Sequence, residues 1–273
     1  MGFNGQYYLH GDVLHDCTAK SYRLIHQNLN VYEVIRIIDG IPLFFEKHCA
    51  RLRQSAALIG ININIDELAA YHRIKELVLL NKIQNGNIKI VLQYPGPSNH
   101  IFTFFIPHHY PSAKDYDQGV DMVSLSAERD NPKAKVSNPE LRASADIIIR
   151  QKKIAEVLLV NHEGYITEGS RSNIFLIRKN TVFTPTSEAV LPGITRETII
   201  EICMNNGIKF RECQIRLSEL GTFQGAFLTG TSPKVLPVRN IDDHNFQVND
   251  PIISKIIKKY DQIINDYLSG LLG

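Results

Sequence analysis

The sequence carries almost no excess charge of either sign. Its 30 Lys and Arg against 28 Asp and Glu leave a net charge of +2, which gives no electrostatic footprint for a nucleic acid or an anionic membrane. Cysteine is scarce as well. Cys17, Cys49, Cys203 and Cys213 stand far apart, with no C-x-x-C pair and no histidine at metal-finger spacing. Neither a disulfide framework nor a metal site is expected, and the four thiols read as reduced, packed groups of a cytoplasmic protein. Long apolar runs are missing too: residues 146–160 are interrupted by Arg150, Lys152 and Lys153, so no membrane span is expected. The opening MGFNGQYYLHGDV lacks a basic start followed by an apolar run, and Gln6 stands where a myristoylation signal has Ser or Thr. No G-x-G-x-x-G opens a helix after a strand, and no P-loop is present, which removes the main support for dinucleotide and P-loop readings. Internal repeats and low-complexity segments are absent.

What remains is an ordinary globular composition, 44% hydrophobic and 21% charged over 273 residues, sized for one large domain or two modest ones. Residues 1–40 read as strands. The stretch 30–38 (NVYEVIRII) alternates and is rich in β-branched and aromatic residues. Asp39-Gly40 then predicts a hairpin turn into 41–45. Helices are expected over 47–58 and 66–81, the second capped by Asp66. Strands are expected over 88–94 and 101–106 around a turn at Pro95-Gly96-Pro97-Ser98. The polar stretch 111–119 (PSAKDYDQG) reads as a linker between domains of 1–117 and 118–273. Beyond it come a strand at 120–126 and a helix to about 154, capped by Ser137 or Asn138. Ser137-x-x-Glu140 is able to form a capping box there. Strands follow at 155–160, 165–167, 173–177, 181–184, 208–215 and 226–228. A helix over 195–206 closes at Gly207, and an amphipathic helix over 251–268 ends the fold. Hairpins dominate, helices lie between them, and uniform βαβ alternation is absent. The fold class is therefore α+β with mixed sheets.

Five places carry possible chemistry. Lys135 precedes a helix cap; if buried it becomes a nucleophile for aldehydes, and otherwise it is a loop lysine equal to Lys133. Glu168, in Thr167-Glu168-Gly169-Ser170, lies between strands, where a carboxylate needs a partner such as a protonated pyridine nitrogen; a turn whose Glu faces water is the plain alternative. Leu191-Pro192-Gly193-Ile194-Thr195-Arg196 opens a helix whose first N–H groups suit an anion, or simply has Thr195 as its cap. Thr229-Gly230-Thr231-Ser232 offers more donors for phosphate oxygens, or an ordinary strand-end turn. Arg51, in His48-x-x-Arg51-Leu52, is a bidentate donor or a surface residue.

Each piece is weak alone, but order and spacing join them: 33 residues from Lys135 to Glu168, 25 on to Gly193 and 38 on to Thr231. With VYEVIRI, HCARLRQSA, KVSN, EVLLVNHEGYITEGSRSNIF, LPGITRETII and TGTSPKVLPV, the set resembles the class IV, fold-type IV pyridoxal-phosphate enzymes over nearly the whole chain. That family contains branched-chain and D-amino acid aminotransferases and 4-amino-4-deoxychorismate lyases. The resemblance implies a smaller N-terminal α/β domain and a larger C-terminal mixed-sheet domain, with the cofactor cleft between them and a homodimeric assembly. It implies that Lys135 forms the internal aldimine with pyridoxal 5'-phosphate and shuttles the proton, and that Glu168 pairs with the pyridine nitrogen. Arg51, Ile194, Thr195 and Thr231 would hold the phosphate, and Tyr32 would line the substrate side.

The same resemblance implies an aminotransferase acting on an amino acid and a 2-oxo acid. The alternatives are the lyase, which eliminates pyruvate to give p-aminobenzoate, and a non-catalytic protein on the same fold. Glu168 followed by Gly-Ser, and the intact GITR, favour the transferase, since such lyases depart at both blocks and often carry Thr at the Glu33 position. QYPGPSNH at 93–100 has no arginine where D-amino acid relatives hold a substrate carboxylate. Arg129, Arg142 and Lys89 are the candidates for that task by charge, Arg129 being placed in the substrate pocket.

Overall fold

The computed structural model describes residues 2–25, 29–94 and 100–272. The chain divides into two compact units. One comprises Met1–His109, Ala134–Ser137 and Ile264–Gly273, the other Tyr110–Lys133 and Asn138–Ile263.

The first unit is built on a six-stranded sheet. Strands β1 (Tyr7–His10) and β2 (Val13–Asp16) form a hairpin, followed by helix α1 (Ala19–Ile25), β3 (Leu29–Ile38) and the short β4 (Ile41–Pro42). Helices α2 (Phe45–Leu58) and α3 (Glu67–Asn81) come next, then β5 (Gly86–Tyr94) and β6 (Ile101–Ile106). The strand order is β2-β1-β6-β5-β3-β4, and every pairing is antiparallel. The expectation of strands throughout 1–40 fails at α1, where the Thr18 hydroxyl accepts from Ser21 N–H at 3.1 Å and starts a helix. The predicted turn at Asp39-Gly40 has φ of 49° and 76°, the twist that a tight hairpin needs. The turn read at 95–98 lies outside the described residues.

Alternation along β3 sorts its side chains. Val31, Ile35 and Ile37 join Ile88, Ile90, Leu92 and Phe105 of the neighbouring strands in a core with Cys49, Leu52 and Ala56 of α2 and Ile74, Leu77 and Val78 of α3. Tyr32 points the other way, against Val91, Phe102 and Phe104. Glu33 shares the parity of Val31 and Ile35 and is therefore carried into the core side, where it is fully buried.

The second unit opens with α4 (Ala113–Gln118), β7 (Val120–Ser126) and α5 (Pro139–Lys152). Strands β8 (Glu156–Val160), β9 (Ile166–Gly169), β10 (Asn173–Arg178) and β11 (Thr181–Thr184) follow. Helix α6 (Ile194–Asn205), β12 (Lys209–Glu212), a 3-10 turn at Leu217–Thr222, β13 (Gly225–Gly230), β14 (Lys234–Ile241) and β15 (His244–Asn245) lead to helix α7 (Pro251–Leu272). Its mixed sheet runs β12-β11-β10-β13-β14-β7-β8-β9, with β15 on β14. The pairs β11–β12, β14–β7 and β7–β8 are parallel and the others antiparallel. Phe175 and Phe227 stack at 5.0 Å across β10 and β13, and Leu176, Ala226, Leu228 and Val238 belong to the main core.

Three local readings need correction. The stretch read as a linker folds as α4, because Ser112 and Asp115 close a reciprocal capping box. The cap of α5 is Asn138, whose Oδ1 accepts from Leu141 N–H at 3.0 Å; the Ser137 hydroxyl accepts from Asn30 N–H instead. Strand β14 has no counterpart among the expected strands, and Pro237 falls inside it. Pro237 sits opposite Phe227, next to the bulge between Val238 and Asn240, where a missing donor is tolerated.

Candidate active site

The candidate residues form two groups, one in each unit. In the first unit, Ala134–Ser137 lies along the free edge of β3. Tyr32 N–H donates to Lys135 O at 3.0 Å and Ser137 N–H to Asn30 O at 2.8 Å, while Val31 and Val136 form a bridge. Within this segment Val136 N–H donates to Ala134 O at 2.9 Å, a three-residue turn with Lys135 at its apex. Ser55, from α2, accepts from the Lys135 N–H at 3.1 Å. The lysine backbone is thus fixed on both sides, and its Nζ lies 5.0 Å from the centre of the Tyr32 ring.

Beside it, α2 presents Arg51 and His48 to Glu33. Arg51 Nε donates to Glu33 Oε1 and Nη2 to Oε2, both at 2.7 Å. His48 Nδ1 lies 2.7 Å from the same Oε2. Burial alone would push the Glu33 carboxyl up, but Arg51 and then His48 bring it well below the usual carboxylate range. Burial also lowers the His48 pKa. Glu33 opposes that shift, whereas Arg51 and Lys135 reinforce it, and the net direction is downward. The trio therefore holds one carboxylate, one guanidinium and a neutral imidazole.

In the second unit, Glu168 is the next-to-last residue of β9. Its Oε2 accepts from Asn173 Nδ2 at 3.2 Å and from Leu191 N–H at 3.1 Å. Its Oε1 lies 2.8 Å from Arg129 Nε, meeting it off the N–H axis and so as an ion pair rather than an aligned hydrogen bond. Arg129 Nη2 also donates to Ser170 O at 2.9 Å. Arg142 is likewise engaged, donating to Ser170 Oγ and Asp146 Oδ1, both at 2.8 Å. Asn173 Nδ2 donates a second time, to Leu191 O at 3.0 Å, and so joins β10 to the segment leading into α6.

That helix starts at Gly193, which leaves its first turn without a side-chain cap and its first amides available to an anion. Thr195 is not the cap. It sits inside the first turn, nearly buried, with its hydroxyl 3.2 Å from the Tyr260 hydroxyl. A Cβ on Gly193 would run into Asn173 Oδ1, so glycine is required by close approach rather than by φ. Ile194 is buried beside Thr195. Thr231 lies in the turn between β13 and β14, just after Thr229, whose buried hydroxyl has no hydrogen-bond partner among the described residues. A small cavity of about 90 Å³ is lined by residues that include Glu128, Arg129, Thr167, Glu168 and Glu188.

The first unit thus brings Tyr32, Arg51 and Lys135 together, and the second gathers Glu168, Arg129, Ile194 and Thr195 around Asn173 and Gly193. Sequence reasoning passed over Glu33, His48, Ser55 and Asn173 as structural partners. The signal for Glu33 was present: an acid on the apolar parity of an alternating strand requires an internal cation. No group of three metal-ligating side chains and no helix long and apolar enough to cross a membrane occurs among the described residues.

A family model described as Amino-transferase class IV matches residues 30–241. The D-alanine aminotransferase of Bacillus licheniformis is 29% identical over 251 residues, which cover 88% of this chain and 87% of that protein. Among solved structures, the branched-chain aminotransferase of Thermoproteus uzoniensis with norvaline is 26% identical with a TM-score of 0.78, covering 96% of this chain and 95% of the other. The T.th. branched-chain amino acid aminotransferase with pyridoxamine 5'-phosphate aligns with a TM-score of 0.82 over 97% and 96% of the two chains, at 21% identity.

Proposed function

The chain belongs to the class IV aminotransferase family, and from that premise we propose that it moves an amino group between an amino acid and a 2-oxo acid with pyridoxal 5'-phosphate as cofactor. The observation that carries this reading is the turn at Lys135, which fixes one amine against Tyr32 from both flanks.

The donor set fits such a cofactor. An amine suits its aldehyde, the buried Glu168 carboxylate suits a protonated ring nitrogen, and Arg51 with the uncapped start of α6 suits a phosphate. In the second unit, the buried Thr229 hydroxyl has no partner among the described residues, and it is a polar atom of the kind a bound group satisfies. The cofactor, when bound, supplies a carbonyl that captures amino groups and a ring that accepts electron density from the reacting carbon.

Lys135 holds the cofactor and carries the proton to and from the substrate Cα. Glu168 would face the ring nitrogen of the bound cofactor, and Asn173, Leu191 and Arg129 orient that carboxylate. Arg51, Ile194, Thr195 and Thr231 bind the phosphate, and Tyr32 lines the substrate side. The four free thiols support a cytoplasmic setting. A homodimer remains part of the reading and is open to light scattering.

The test is the visible spectrum of protein loaded with pyridoxal phosphate, before and after L- and D-amino acids. A donor-dependent change of the band, lost in Lys135→Ala with the far-ultraviolet spectrum intact, supports the aminotransferase. A band that no amino acid alters overturns it and makes aminodeoxychorismate the next compound to add. Near-wild-type turnover in Lys135→Ala would remove the lysine assignment.

A further inference from the structure

The buried stripe of α7 includes Ile253, Ile256 and Tyr260, spaced by three and four residues. The two isoleucines bring no polar side-chain atom, whereas Tyr260 brings its hydroxyl to 3.2 Å from Thr195 Oγ1, in the first turn of α6. Both side chains are almost sealed from solvent. The next residue of α7, Asp261, accepts from Lys234 Nζ at 2.8 Å. Lys234 pairs with Gly230 and closes the turn at 231–233 between β13 and β14. It does so at φ 53°, in the left-handed region that a residue with a side chain enters at a cost. The Tyr116 hydroxyl ties the same turn down again, donating to Pro233 O at 2.9 Å. Adjacent residues of one helix thus reach the two separate segments to which the phosphate is assigned, one at Thr195 and one at Thr231.

Those segments are neighbours. Asn173 faces Thr229 in the β10–β13 ladder, and its carboxamide lies against Gly193. The Thr229 hydroxyl is fully buried and has no hydrogen-bond partner among the described residues, which marks this end of the unit as a place for an incoming polar group. A threonine hydroxyl carries one proton and also accepts. When the Tyr260 hydroxyl donates to Thr195 Oγ1, the Thr195 proton is left for an anion, and each bond of the relay strengthens the other.

We propose that Tyr260 is a positioning residue for the phosphate end of the cofactor site. It donates to Thr195 and turns that hydroxyl's proton toward the phosphate, while Asp261 fixes the same stretch of α7 to the turn that carries Thr231. The inference rests on the reading that pyridoxal phosphate binds here, and it adds α7 to the elements that shape the site.

Affinities for pyridoxal 5'-phosphate and for pyridoxal, which lacks the phosphate, are measured by absorbance titration of wild type, Tyr260→Phe, Thr195→Val, the double variant and Asp261→Asn. Losing one hydrogen bond of the relay predicts a roughly 3- to 10-fold weaker pyridoxal phosphate complex for Tyr260→Phe, with pyridoxal affinity unchanged. The phosphorus NMR signal of the bound cofactor should shift in the same variant. In the Thr195→Val background, Tyr260→Phe should add little. Asp261→Asn should weaken pyridoxal phosphate by a smaller factor, because its pair with Lys234 is partly exposed. Unchanged affinity and an unchanged phosphorus signal in Tyr260→Phe overturn the proposal. So does equal weakening of pyridoxal, which makes Tyr260 a residue of the core alone. Full additivity with Thr195→Val also overturns it, by removing the route through that hydroxyl. If Tyr260→Phe does not fold, Tyr260→Met carries the same comparison. If the wild type binds the cofactor but reacts with no amino acid, the aminotransferase reading fails, and these affinities still decide the role of Tyr260. If the wild type binds no pyridoxal phosphate, a phosphorus NMR titration of wild type and Tyr260→Phe with inorganic phosphate decides it.

Discussion

Glu33 and Arg51 meet through two contacts of 2.7 Å, Nε to Oε1 and Nη2 to Oε2, with the carboxylate sealed from solvent. A guanidinium held in this way cannot swing, so its remaining edge is aimed by the acid and not by the helix alone.

Removing the acid leaves a buried cation. Glu33→Ala is expected to cost about 3–5 kcal/mol of stability, measured by urea denaturation, and to weaken retention of pyridoxal phosphate on dialysis. Glu33→Gln should show the same direction with a smaller loss. Wild-type stability and cofactor retention in both variants would show that Arg51 needs no orientation.

Acid should unfold the protein in two stages. Folding lowers the His48 pKa below its ordinary 6.5, so the unfolded chain takes up that proton first and stability falls as the pH drops through about 6.5. Folding also lowers the Glu33 pKa below its ordinary 4.5, so a second loss begins near pH 4.5 and continues downward. Denaturation midpoints between pH 7.5 and 3 check both stages, and His48→Gln should reduce the first, with His10, also lowered by burial, accounting for part of the remainder.

Gly193→Ala should push the Asn173 carboxamide aside and so loosen Glu168. A loss of about 1–3 kcal/mol is expected. In an Asn173→Ala background, where the obstructing oxygen is gone, the same change should cost less. Simple additivity of the two losses in thermal or urea melts would refute the link.

Burial raises the Cys49 thiol to about 12 and Cys17 and Cys203 each to about 11, and raises Cys213 as well. Alkylation of the native protein by iodoacetamide at pH 8 should be far slower than that of free cysteine at all four positions. Peptide mass mapping reads the outcome, and rapid labelling of any of them would contradict its burial.

Elements with a strong periodic or capping signal were legible in advance: β3 through its alternation, α3 through Asp66 and α7 through its amphipathic stripe. Elements set by a local bond or by tertiary context were not. Helix α1 depends on the Thr18 hydroxyl, α4 on a reciprocal cap, and β14 on neighbours that accommodate Pro237. The candidate residues could be named from motif order, but their supports could not. Ser55 and Lys135 are 80 residues apart, and Glu168 and Leu191 are 23 apart. Nothing local in the chain announces either pair.

The first unit includes Ala134–Ser137 and Ile264–Gly273 as well as Met1–His109. Tyr267, in its last segment, accepts from Phe45 N–H at 3.1 Å and donates to Glu46 Oε2 at 2.9 Å, at the start of α2. Chains commonly fold from the N-terminus outward as they leave the ribosome. Here a segment translated early is completed by segments translated later. The edge of β3 waits for residue 137 and the start of α2 for residue 267, which leaves the early sheet in need of protection during synthesis.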